Sequence, residues 1–254
     1  MKLFFRKYGQ GQPLIILHGL FGQSDNWNTL AKKFSENGLQ AYIVDLRNHG
    51  QSPHDDEMNY EVMARDVKEL VDAESIQSPV MMGHSMGGKV TMMFDRLYPD
   101  VLKKLIVVDI LPKQYPGGHT EVFQALNAVN FDLVKTRKDA EDILRQHLKD
   151  EAVIQFLLKN IHWETAERLN WRFNLSVIQK NYENILAEIP YYQSLKPCLF
   201  LRGERSSYIK DEDEHLIKRY YPAAELVRIP HAGHWIHAEQ PQLFMQAVLQ
   251  FLKQ

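Results

Sequence analysis

The sequence predicts an α/β chain: a doubly wound, mostly parallel sheet with a block of helices inserted ahead of its last strands. Three observations predict it. Short apolar runs alternate with segments of helical periodicity up to Asp109. The alternation then stops, and residues 112–195 read as helices with no convincing strand. It resumes at Pro197 and continues to the end of the sequence.

Taken in order, residues 3–8 suit an edge strand, followed by a turn through Gly9, Gly11 and Pro13. Leu14-Ile15-Ile16-Leu17 is apolar throughout, as a strand covered on both faces should be. Residues 24–36 place Trp27, Leu30, Ala31 and Phe34 along one helical stripe, and Gly38 supplies a stop. A strand over 40–44, a helix over 60–73 and a strand over 79–82 repeat the unit. The strand at 79–82 runs into Gly83-His84-Ser85-Met86-Gly87-Gly88 and then a helix to Leu97. The strand over 105–108 ends at Asp109. In the insert, residues 120–129, 138–148, 151–160 and 175–188 each read as one helix. After it come a strand over 197–201, a helix over 211–220, a strand over 225–229 and a closing helix over 242–252. This divides the chain into a first core part (1–111), a helical insert (112–195) and a second core part (196–254).

Composition narrows the function classes. A net charge of −2 over 254 residues gives no reason to expect nucleic acid or anionic lipid as a partner. No apolar run approaches the roughly 18 residues of a membrane span. The apolar run near the N-terminus is too short for a secretory signal. The single cysteine, Cys198, lies in an apolar run and reads as a small core residue, which favours a reducing compartment, the cytoplasm. No phosphate-binding glycine pattern is present, and no cofactor or metal is expected.

Gly83-His84-Ser85-Met86-Gly87 fits G-x-S-x-G, the strained strand-to-helix turn that lifts a serine hydroxyl above the sheet. Strand, turn and helix follow in the required order, so Ser85 is the candidate nucleophile. A serine hydroxyl needs a base. Of the eleven histidines, His234 lies just past the last strand, where open α/β sheets build their sites. His231 reads as a loop residue and His237 as a packed one. The group that orients the base stays open at this level: Asp109, a group in the 204–207 loop such as Glu204 or Ser206, or no strong acid. The backbone amides of Leu20 and Met86 are the candidate oxyanion donors. Phe21 and Trp235 are candidates for the substrate pocket. His18, Arg47, His49 and His84 read as bracing residues, and Arg168 and Arg172 as solvated ones.

Four segments carry a family likeness: the elbow at 83–88, His-Gly-Leu-Phe-Gly at 18–22, Asp-Leu-Arg-Asn-His-Gly-Gln-Ser at 45–52 and Ala-Gly-His-Trp-Ile-His-Ala-Glu at 232–239. With Trp171-Arg172-Phe173-Asn174-Leu175 in the insert, they make the chain resemble the α/β-hydrolase superfamily over its whole length, and within it the small bacterial YbfF-type esterases. The resemblance implies an eight-stranded, mostly parallel sheet under a helical cap. It also implies cofactor-independent hydrolysis of short- to medium-chain carboxylic esters or thioesters, with Ser85 as nucleophile and His234 as base. The usual acid position of that family is not an aspartate here. Asp109 matches the alternative position that some of its members use.

Overall fold

The computed structural model describes all 254 residues. The first part of the chain runs β1 (Phe5–Tyr8), β2 (Gln12–Leu17), α1 (Asn28–Ser35), β3 (Leu39–Val44), α2 (Tyr60–Ala73), β4 (Val80–His84), α3 (Met86–Leu97) and β5 (Lys104–Val108). An insert follows, with α4 (Thr120–Ala128), α5 (Arg137–His147), α6 (Glu151–Leu158), β6 (Ile161–Trp163), β7 (Leu169–Trp171), α7 (Leu175–Lys180) and α8 (Tyr182–Leu186). The chain ends with β8 (Cys198–Gly203), α9 (Glu214–Tyr220), β9 (Glu225–Ile229), α10 (Ile236–Glu239) and α11 (Pro241–Lys253). No helix is long and apolar enough to cross a membrane.

The main sheet has seven strands in the order β1-β3-β2-β4-β5-β8-β9, one fewer than the resemblance implies. β1 is antiparallel to β3, and every other neighbouring pair is parallel. The unbroken apolar runs have a direct cause. On β2, Leu14 and Ile16 join the core under α1 and α11, while Ile15 and Leu17 join the core under α2 and α3. β5 divides the same way, Ile106 and Val108 against Leu105 and Val107. A strand buried on both faces has no polar side to show. Each such side chain contributes about 1.5–3 kcal/mol by leaving water.

The insert departs from expectation in two places. It contains a small antiparallel hairpin, Ile161 opposite Trp171 and Trp163 opposite Leu169, where no strand is expected. Strands of three residues are too short to show alternation. Residues 175–188 form two helices rather than one. The Asn181 side chain donates to the carbonyl of Val177 at 2.9 Å and to that of Asp56 at 3.1 Å, so it closes α7 while tying it to the core.

The insert is fastened at the edge where the parallel strands end. The Asn174 amide donates to the Asn48 carbonyl at 2.9 Å. The buried Asn160 side chain donates to the Phe21 carbonyl at 2.8 Å. Ser85, Asp109 and His234 all lie at this edge, directly after β4, β5 and β9 respectively or in the loop that follows.

Candidate active site

The elbow is built from its neighbours' lack of side chains. A Cβ on Gly83 would fall 2.0 Å from the Gly87 carbonyl oxygen, and one on Gly87 would fall 2.5 Å from that of Leu17. Between these two, Ser85 takes φ 52° and ψ −118°, a strained backbone for an L-residue. Three hydrogen bonds hold it there. Its amide donates to the Val108 carbonyl at 2.9 Å, and its carbonyl accepts from Gly88 at 2.8 Å and from Lys89 at 3.2 Å.

His234 and Asp109 meet. His234 Nδ1 lies 2.7 Å from Asp109 Oδ2. Asp109 is fully buried and takes φ 52° at the end of β5. Its Oδ1 accepts the Gly203 amide at 3.1 Å, and its Oδ2 also accepts the Ser206 hydroxyl. A carboxylate can only accept from Nδ1–H, so in the neutral ring Nε2 is the nitrogen that carries the free lone pair. The imidazole stacks on Tyr208, with centroids 3.8 Å apart and planes 14° apart. His84 Nε2–H donates to the His234 carbonyl at 2.9 Å, which ties the residue before Ser85 to the loop of the histidine. Ser85 and His234 line one cavity, and no hydrogen bond joins the hydroxyl to Nε2 in this resting conformation. Such contacts often tighten only with substrate in place.

The turn after β2 offers one amide and withholds its neighbours. The Phe21 amide donates to His49 Nε2 at 3.2 Å, and that of Gly22 to the Gly19 carbonyl at 2.9 Å. The Leu20 amide has no partner. Met86 opens α3, so its amide is among the donors that a helix leaves unpaired at its start. Both residues border the cavity beside Ser85. Burial holds the two histidines beneath this turn neutral, lowering His18 to about 4 and His49 to about 3. Each is a bracing residue: His18 Nδ1–H donates to the Gly19 carbonyl while Nε2 accepts the Leu46 amide, and His49 Nδ1–H donates to the Arg47 carbonyl. Arg47 itself forms a buried ion pair with Asp66 at 2.6 Å.

The cavity has a volume of about 580 Å³. Phe21 and Trp235 both line it, and so do Phe156, Tyr182 and Tyr208 from the insert and the loop after β8. The alternatives to Asp109 are placed elsewhere. Glu204 is exposed and accepts the His231 amide at 2.8 Å. Ser206 donates to Asp109 and not to the histidine. His237 is buried and stacks on Trp27 at 4.1 Å. Cys198 is buried, and Arg168 pairs with Asp132 and Glu164 on the surface. Arg172 does not border the cavity.

Sequence reasoning missed Tyr208, the His84–His234 bond and Lys89. For Lys89 a signal existed: a lysine in the first turns of a helix whose neighbours on every side are small or apolar. Nothing local marks Tyr208, which reaches His234 only through the packing of two loops.

The comparisons agree with this architecture. A family profile described as the alpha/beta hydrolase fold matches residues 12–132. The Escherichia coli (strain K12) protein named Esterase YbfF is 40% identical over 243 residues, covering 94% of this chain and 92% of that protein. The mouse protein named sn-1-specific diacylglycerol lipase ABHD11 is 38% identical over 250 residues, covering 94% of this chain and 80% of that one. A solved structure named Marine microorganism esterase superposes with a TM-score of 0.96 at 44% identity and covers 99% of both chains. Topology, elbow and near-full-length identity together make this chain a member of the α/β-hydrolase family, closely related to the bacterial esterases of the YbfF type.

Proposed function

We propose that the protein hydrolyses short- to medium-chain carboxylic esters or thioesters in two steps through an acyl-enzyme on Ser85. The observation that carries this is the 2.7 Å bond between His234 and buried Asp109, set at the same cavity as the elbow serine. The names borne by the similar proteins, esterases and a diacylglycerol lipase, favour acyl-ester chemistry on the same scaffold.

In this reading His234 Nε2 takes the Ser85 proton as the hydroxyl oxygen attacks the acyl carbonyl. Asp109 holds the ring in the needed tautomer and stabilises the imidazolium. The Leu20 and Met86 amides donate to the oxyanion. Nε2–H then protonates the leaving alcohol or thiol, and water repeats the sequence on the acyl-enzyme. Phe21 and Trp235 form walls for the acyl group.

Ser85→Ala, assayed on p-nitrophenyl esters with labelling by a fluorophosphonate, tests the reading. The expected result is loss of turnover by several orders of magnitude and loss of the label. A variant that retains most of the wild-type rate would overturn the serine mechanism.

A further inference from the structure

The cavity at Ser85 is lined by Lys89, Lys113 and Lys210 and by no aspartate or glutamate. Two of the three lysines have counter-ions behind them. The Lys113 ammonium lies 2.7 Å from Asp213, and that of Lys210 lies 3.8 Å from Glu212. Lys89 has none. It is 1% exposed and donates to two backbone carbonyls at the end of α8, those of Leu186 at 3.2 Å and Ala187 at 2.5 Å. Its ammonium lies 5.5 Å from the ring centre of Tyr60 and 5.0 Å from that of Tyr115. Its third N–H has no acceptor.

A tether to two carbonyls explains a hydrogen-bond donor at this position. It does not explain a full charge. A buried ammonium with no carboxylate in contact is costly, and burial lowers the pKa of Lys89 to about 7 against the longer-range pull of Glu188. An entering carboxylate would relieve that cost by pairing with it directly. Lys89 stands four residues after Ser85 on the elbow helix, and both border the same cavity.

We infer that Lys89 is the counter-ion for a carboxylate at the far end of the acyl group, so that half-esters of dicarboxylic acids are a preferred substrate class of this cavity. The inference rests on the proposed ester hydrolysis. The reaction is half-ester plus water giving dicarboxylate plus alcohol, with one proton released. The recognised carboxylate is not consumed.

Calorimetry on the wild-type protein compares glutarate with pentanoate, two acids of equal carbon count. Hydrolysis of monomethyl glutarate is then compared with that of methyl pentanoate in wild type and Lys89→Met. Glutarate is expected to bind at least tenfold more tightly than pentanoate. The kcat/KM ratio of charged to neutral ester is expected to fall at least tenfold in Lys89→Met. Because it is a ratio, any general loss of activity cancels. Equal binding of the two acids, or an unchanged ratio, overturns the assignment. If Lys89→Met does not fold, equal binding of the two acids by the wild type still overturns the assignment. Turnover of methyl pentanoate and labelling of Ser85 report separately on the serine mechanism. If both are present without a preference for charge, only the role of Lys89 falls.

Discussion

His84 Nε2–H donates to the backbone carbonyl of His234 at 2.9 Å. Its ring also packs against that of His234, with centroids 4.7 Å apart. The residue just before Ser85 therefore holds the loop carrying the candidate base. His84→Leu removes this donor and is expected to lower kcat/KM about tenfold, the equivalent of ~1.4 kcal/mol. His84→Gln keeps a donor and should recover most of that loss. Equal rates in the two variants would separate the bond from function.

Asp109 has three hydrogen-bond donors, so its two partners besides His234 allow a graded test. Asp109→Asn presents the wrong group to Nδ1, and kcat should fall by roughly 10⁴. Ser206→Ala removes one donor to the same carboxylate and should cost about 1 kcal/mol in the barrier, or several-fold in rate. Steady-state kinetics on one p-nitrophenyl ester checks both. Comparable losses from the two changes would mean that the carboxylate matters no more than the hydroxyl that supports it.

Asn160 links the insert to the turn that carries Leu20. It is fully buried, and its amide group donates to the Phe21 carbonyl at 2.8 Å. Asn160→Ala leaves that carbonyl without its partner and should cost about 1–3 kcal/mol of stability. Denaturant unfolding measures it. A midpoint unchanged from wild type would show the link to be dispensable.

Acid should unfold the protein through its buried histidines. His18, His49 and His237 are lowered to about 4, 3 and 3 respectively, mainly by burial. The unfolded chain protonates them near 6.5, so below that pH it binds more protons than the folded one. Each histidine then removes up to about 1.4 kcal/mol of stability per pH unit, from 6.5 down to its folded value. Melting temperatures between pH 7.5 and 4.5 should fall steeply below 6.5. His237→Phe should shallow the slope, because its buried Nδ1 has no partner to lose and its ring is held by packing against Trp27, His84 and Phe244. A flat profile across that range would contradict the assignment.

The sheet and the elbow were legible because each leaves a local mark. Runs such as 14–17 and 105–108 are apolar on both faces, and Ser85 sits inside a five-residue pattern with its strand and helix attached. His234 was legible from its place after the last strand. The choice between Asp109 and the 204–207 loop was not, because both follow neighbouring strands and only the paired register of β5 and β8 brings them to one point. The hairpin at 161–171 and the break at Asn181 escaped for the opposite reason. They are too short for any periodicity, and the break at Asn181 is tied to Asp56, far away in the chain.

The strand that supplies Asp109 ends before the insert begins, and it lies beside the strand that supplies Ser85. The backbone bond from Ser85 to Val108 at 2.9 Å, and that from Asp109 to Leu201 at 2.8 Å, are made entirely within the sheet and its edge. Serine and carboxylate are thus spaced by ladder bonds that no residue of the insert helps to form. A change of insert would alter what the roof admits while the spacing beneath it stays the same.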